Sequence, residues 1–341
     1  MNLSNVNESL STEYSGITIL APGAFMLSLL IIFGNLTTLI AIKRMPSLQT
    51  KSNAYVASLA CADIMVGLVL IPYGLWLIPD IRNRFDQTVT MCNLIMSAGS
   101  SAIVVSILNL LLVALERMVY INYPFFYVRV INNNVIGVSI TFPWLIGLTF
   151  GNSQWFINVP KTNPPQCVAN KILPTFYYKY VATLMYFIPS AAIFAIYTKI
   201  IMIARKHSTA IKKMNVVQPS SDKVAWASRP MAMSDENWKA AKMMMTVFGL
   251  FFTCWTPRFI LHTVPDDYLN KSVPEIVYNL FMMMGLLNSG INFLVYPLHN
   301  MEFRKALIHL LCFWSRSHDQ LFSVVKDIHI TNISTGKILN N

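Results

Sequence analysis

The chain has 341 residues, of which 55% are hydrophobic and 12% charged, and its net charge is +11. Soluble chains carry roughly 25% charged residues, so this composition excludes an ordinary soluble domain. In a soluble protein the positive charge would point to nucleic acid; here its placement gives it another meaning.

Seven runs reach the length of about 20 apolar residues that a bilayer-crossing helix needs. They are 17–42, 54–79, 89–115, 135–155, 180–197, 243–264 and 276–298. Residues 1–16 hold neither a basic stretch nor a small-residue cleavage site, so the first run reads as an anchor that stays. Most connections are short, which makes neighbouring helices antiparallel. The longest, 206–238, is polar and is expected to be disordered in part. In 301–313, Phe303, Leu307, Leu310 and Leu311 share a face opposite Arg304 and Lys305, the pattern of an interfacial helix on membrane lipids. A polar tail, 314–341, closes the chain. The expected fold is an all-α membrane protein: a seven-transmembrane helix bundle over 17–298 with a short interfacial eighth helix.

Most of the 26 lysines and arginines fall on one side of the runs: Lys43 to Lys51, Arg117 and Arg129, Lys199 to Lys242, and Arg304 onward. By the positive-inside rule this side is cytoplasmic, which puts the N-terminus outside and the C-terminus inside. The basic excess is a topology signal, and nucleic acid is not an expected partner. Asn2-Leu-Ser and Asn7-Glu-Ser are then extracellular glycosylation sequons. Of the five cysteines only Cys92 and Cys167 fall outside, and they read as one disulfide. Cys312, after the amphipathic stretch, is placed for palmitoylation; an unmodified interfacial cysteine is the alternative.

Only two runs carry a charge in the middle, Asp63 and Arg258. A charge at membrane depth is costly unless paired or hydrated and marks a functional site by default. Asn35, Ser106, Asn288, Ser289 and Asn292 lie at depths suited to keep Asp63 company. In the sixth run Pro257 removes a backbone hydrogen bond and kinks the helix, which supplies a hinge. The methionine runs 243–245 and 282–284 have no cysteine or histidine at ligand spacing, so they read as adaptable packing.

Taken in order, the motifs resemble the class A (rhodopsin-like) G-protein-coupled receptors, in their amine and opsin branch, from about 17 to 313. Those motifs are Gly34-Asn35, Leu59-Ala-Cys-Ala-Asp63, Cys92 placed 25 residues before Arg117, Glu116-Arg117-Met118, Pro124, Trp144, Pro189 with Tyr197, Cys254-Trp255-Thr-Pro257, and Asn292-Phe-Leu-Val-Tyr296. The resemblance implies a plasma-membrane receptor that an extracellular small molecule shifts to a state activating a heterotrimeric G protein. It implies a sodium ion at the Asp63 cluster, with a water-filled network as the alternative, and no other cofactor. It also implies a switch at Glu116, Arg117, Tyr197 and Tyr296, with Pro124 and Phe125 meeting the G protein. Ile107, Pro189 and Phe251 match a packing relay beneath Trp255. Serines and threonines in the tail leave arrestin open as a partner.

Several positions depart from the family pattern. Met118 replaces the usual aromatic, and Asn237 stands where many relatives have an acid to pair the arginine. Phe293 takes the place of a proline, so span seven is expected to be straighter there and to break at Pro297. Gly99 stands where amine-binding relatives carry aspartate. No lysine occurs in 276–296, which excludes a retinal Schiff base there.

The expected ligand pocket comprises Gly99, Ser100, Ile103, Met185, Arg258, Phe259, His262, Tyr278 and Met282. Arg258 and His262, four residues apart, share one helix face. A guanidinium in such surroundings is matched by a carboxylate or phosphate on a ligand. The alternative is that Arg258 snorkels outward or pairs with Asp266, Asp267 or Glu275. Two rivals are a receptor-like scaffold with little signalling, favoured by Phe293 and Met118, and a transporter, which calls for inverted repeats that the chain lacks. No nucleophile–base pair or metal cluster points to an enzyme.

Overall fold

The structure is a computed structural model that describes residues 17–157, 167–217, 235–264 and 273–310. Asn2, Asn7, Asp266, Asp267 and Cys312 lie outside these residues, and so does the side chain of Asn237. Among the described residues, seven helices are long and apolar enough to cross a membrane: span one Leu20–Arg44, two Lys51–Trp76, three Val89–Asn122, four Asn133–Ile157, five Phe176–Ile203, six Ala241–Thr263 and seven Glu275–His299. No strand occurs among the described residues.

Local chemistry sets the helix ends. Span one closes with Lys43 and Arg44 in its last turn, where cations suit the carbonyl end of the helix dipole. Pro46 then starts a short 3-10 turn. Thr50 caps span two by accepting from the Asn53 amide at 3.2 Å. The first outer loop, which showed no helical signal, forms a helix over Pro79–Gln87, with proline in its first turn. The second inner loop does the same over Pro124–Val130.

The bundle is apolar outside and polar at its heart. Leu29, Phe142, Ile188 and Phe156 are exposed, whereas Asp63, Asn35, Asn109 and Ser101 are buried. This is the arrangement lipid demands, because tails are as apolar as leucine and helices associate through close packing and hydrogen bonds. Span three is the central post. Trp144 Nε1 of span four donates to Ser58 Oγ at 3.1 Å, and Ser58 donates to Asn109 Oδ1 at 2.6 Å, tying spans two, three and four together. Cys92 and Cys167 form the outer disulfide, with Cα atoms 5.5 Å apart.

Span four approaches span three on two glycines, Gly147 and Gly151. A side-chain carbon on Gly151 would overlap Ser101 Oγ and come within 2.9 Å of the Ser101 amide; on Gly137 it would meet nothing within 4 Å. Gly151→Ala is therefore expected to lower the melting temperature of the detergent-solubilised protein, at an overpacking cost of about 1–3 kcal/mol. Gly137→Ala is expected to leave it unchanged or slightly higher, since alanine is the better helix former by about 1 kcal/mol.

Two expectations are corrected. The inner loop taken as 206–238 is helical at both ends: the span-five helix continues to Val217 and the span-six helix begins at Asp235. Span seven does not break at Pro297; it runs unbroken to His299, because a proline in the last turn removes only one hydrogen bond there. Helix 301–310 forms as expected and turns Phe303 and Ala306 inward, with Leu310 packed beside them; Leu311 lies outside the described residues.

Candidate functional site

At the inner end of span three, Arg117 Nε lies 3.2 Å from Glu116 Oε2, both side chains nearly buried. The other carboxylate oxygen, Oε1, accepts from Ser52 Oγ at 2.6 Å and from the Tyr127 hydroxyl at 2.7 Å. Burial and the neighbouring Glu116 carboxylate push the Tyr127 phenol above its ordinary pKa, so it stays a donor. Neither Ser52 nor Tyr127 stood out in the sequence, because Ser52 starts another span and Tyr127 lies on a loop helix that showed no helical signal. On the same inner-loop helix Phe125 is 79% exposed, with Phe126 and Val128 also exposed. Tyr197 and Tyr296 are buried, and the Tyr296 hydroxyl has no partner.

Midway across, Asp63 is wholly buried and its Oδ2 accepts from Asn292 Nδ2 at 2.8 Å. Asn35 Nδ2 donates to the carbonyls of Ile31 at 2.9 Å and Ser289 at 3.0 Å, joining spans one and seven. Asp63 Oδ1, Ser106 Oγ, Asn35 Oδ1, Asn288 Oδ1 and Asn292 Oδ1 are buried without a hydrogen-bond partner. Buried oxygens left unpaired cost about 1–3 kcal/mol each, and a set of oxygen acceptors including a carboxylate has the donor chemistry of a hard cation.

Above this layer Trp255 is buried between Phe251, with ring centroids 6.4 Å apart, and Phe259, 6.0 Å apart. Gly285 of span seven admits the indole: a side-chain carbon there would lie 2.6 Å from it. Tyr186 of span five stacks on Phe259 at 4.2 Å and 10°, and its hydroxyl reaches Thr256 Oγ1 at 2.9 Å and the Phe252 carbonyl at 3.1 Å. Tyr186 and Gly285 sit within uniformly apolar runs, so the sequence carried no signal for either. Ile107 and Pro189 are buried as well.

In the outer half, Arg258 lies over the Tyr278 ring, with Cζ 5.2 Å from its centroid. Its Nε and Nη1 are buried without a hydrogen-bond partner, as is His262 Nδ1 one turn outward. Glu275, one of the acids considered for Arg258, instead takes Arg82 Nη2 of the first outer loop at 2.8 Å. Arg82 also stacks on Trp76, 4.2 Å from the ring centroid. Asp86 Oδ1 accepts from the Trp76 indole at 3.1 Å and the Cys167 amide at 3.0 Å, so this outer loop holds a closed polar cluster of its own. Lys179 Nζ donates to the Val264 carbonyl at 2.8 Å, adding a third basic group near the outer end of span six.

Two pocket candidates face elsewhere. Ser100 Oγ accepts from Gln154 Nε2 at 2.7 Å, which turns it toward span four. A side-chain carbon on Gly99 would meet only Val69 of span two, at 3.8 Å. Ile103 and Met282 pack against the main core, and Met185 is half-buried.

Seven apolar spans around a buried polar spine, a disulfide at one end and a buried Glu116–Arg117 pair at the other are the build of a seven-span membrane receptor. The family "7 transmembrane receptor (rhodopsin family)" matches residues 34–296, and the chain belongs to it; it is a G-protein-coupled receptor of the multi-pass plasma-membrane kind, not an enzyme. Similar proteins include "Trace amine-associated receptor 7b" of Rattus norvegicus, 27% identical over 82% of this chain and 78% of that protein. "Trace amine-associated receptor 2" of Homo sapiens is 28% identical over 87% and 83%. "Trace amine-associated receptor 13c" of Danio rerio is 28% identical over 86% of each.

Proposed function

We propose that this receptor answers to an extracellular small molecule bearing an anionic group, held by Arg258, and passes the signal to a heterotrimeric G protein through Arg117. The observation that carries the ligand reading is the Arg258 guanidinium, with two buried nitrogens that have no acceptor among the described residues. A buried charge without a partner is unfavourable by several kcal/mol, and an anionic ligand removes that penalty on binding. The relatives are named for trace amines, but Gly99 offers no carboxylate to an ammonium group.

Arg258 sits three residues above Trp255, so a ligand held there bears on the aromatic stack of Trp255, Phe259 and Tyr186. The Pro257 kink gives span six the freedom to move its inner end. At that end, release of Glu116 by Arg117, Tyr127 and Ser52 frees the guanidinium for a partner, and Phe125 offers an apolar contact beside it. Asp63, Ser106, Asn288 and Asn292 hold a sodium ion that favours the resting state. The N-terminus faces outward and the basic inner surface faces the cytoplasm.

The test is a G-protein activation assay in cells, across all G-protein classes, with matched panels of amines, carboxylates and phosphates. Responses to acids and none to the matching amines are expected, all lost in Arg117→Ala at equal surface expression. An amine response that persists in Arg258→Gln would overturn the ligand reading; acid responses that survive Arg117→Ala would overturn the switch.

A further inference from the structure

The place where span seven departs from its family is also a place where it packs directly on span one. In an α-helix the amide of residue 293 addresses the carbonyl of residue 289. Phenylalanine keeps that bond, and the Ser289 carbonyl also accepts from Asn35 Nδ2 at 3.0 Å. Pro297 has no N–H, so the carbonyl that loses its helical donor is that of Phe293 itself. The weak point of the helix has moved one turn inward.

Next to Asn35 stands Gly34. A side-chain carbon there would overlap the edge of the Phe293 ring, so the ring lies against bare span-one backbone. One turn away, a side-chain carbon on Gly290 would lie 3.3 Å from both Ile31 and Leu27. Span one therefore grips span seven on successive turns, by the Asn35 amide and by the Gly34 seat. Beyond the weak point Arg304 reaches back from helix 301–310, with Nε 3.1 Å from the Pro297 carbonyl and Nη2 3.2 Å from that of Leu298. Between the two fixtures lies Tyr296, buried with an unpartnered hydroxyl.

We infer that Phe293, seated on Gly34, is a positioning residue that latches the inner half of span seven to span one in the resting receptor, and that the ring must leave the glycine in the signalling state. A contact made in one of two states biases the equilibrium by its differential energy. The ring-on-glycine seat exists only while the two backbones stay this close, so any movement of span seven away from span one gives it up whole.

The experiment uses the full chain in lipid nanodiscs, with free cysteines replaced and spin labels at Lys43 and Leu298, both exposed at the inner ends of spans one and seven. Pulsed dipolar spectroscopy reads the distance distribution without ligand or G protein. Phe293→Ala is expected to broaden the distribution and shift it away from the resting distance. In cells it is expected to raise basal G-protein activation roughly fivefold, the lower end of common coupling. Gly34→Ala, which pushes the ring out, is expected to act in the same sense. Gly34→Ala with Phe293→Ala is expected to do no more than Phe293→Ala alone, since alanine then fills vacated space. Phe293→Leu serves where the alanine variant does not fold. An unchanged distribution in the folded Phe293 variants overturns the latch. So does a Gly34→Ala effect that persists undiminished beside Phe293→Ala, or basal activity that falls with the distance unmoved. A receptor silent toward every G protein defeats the signalling reading alone, because the distances still decide the latch.

Discussion

Arg258→Leu is expected to raise the melting temperature of the ligand-free receptor and to abolish its response to acidic ligands, two effects of opposite sense from one change. The guanidinium has Nε and Nη1 buried without acceptors, and Glu275 is taken by Arg82 at 2.8 Å. The Tyr278 ring at 5.2 Å offers a cation–π contact that offsets up to about 2 kcal/mol. That leaves a net cost, and replacing unfavourable buried charge by well-packed apolar side chains is worth about 1–4 kcal/mol elsewhere. The response is expected to fall because losing one partner of a desolvated charge pair costs about 2–5 kcal/mol, roughly 30-fold or more in potency. If Arg258 instead pairs with Asp266 or Asp267, the same substitution leaves a carboxylate stranded. The melting temperature then falls, by the equivalent of about 3–5 kcal/mol for a buried pair. Thermal melting in detergent without ligand separates the two, and Arg258→Lys is expected to fall between wild type and Arg258→Leu in acid potency.

The helices were legible in the sequence because lipid imposes one strong rule, that about 20 apolar residues must satisfy their backbone internally. The ends were less legible, since the span-five helix continues past the apolar run to Val217. Site residues in motifs, such as Glu116-Arg117 and Trp255-Thr-Pro257, could be placed from their spacing. Their partners could not: Tyr127 reaches Glu116 from the next loop helix, and Tyr186 reaches Phe259 from another span. The same holds for direction. Ser100 sits at pocket depth, but which way it faces depends on the rotation of span three, and Gln154 decides it. Gly34 illustrates the limit. Its presence was a motif, but its use as a seat for Phe293 depends on two helices 259 residues apart in sequence meeting at one turn.

The second large effect expected is that sodium stabilises the wild-type receptor and leaves Asp63→Asn indifferent. Asp63 presents one carboxylate oxygen to Asn292 and keeps the other unpaired, with Ser106, Asn288 and Asn292 oxygens also unpaired in the interior. A monovalent cation bound there satisfies acceptors that otherwise cost about 1–3 kcal/mol each. By linkage, a ligand at 100 times its dissociation constant adds about 2.7 kcal/mol to the state that binds it. Exchanging potassium chloride for sodium chloride at constant ionic strength is therefore expected to raise the wild-type melting temperature by several degrees and to depress basal activity. Constant ionic strength removes general screening, which acts on both salts alike. Asparagine keeps the size of Asp63 and one oxygen but removes the charge, so a cation no longer compensates anything there, and the two salts become equivalent. A wild type that melts equally in both salts would assign the unpaired oxygens to a water-filled network. In that case Asp63→Asn is still expected to alter basal activity, through its bond to Asn292 and the grip that span two keeps on span seven.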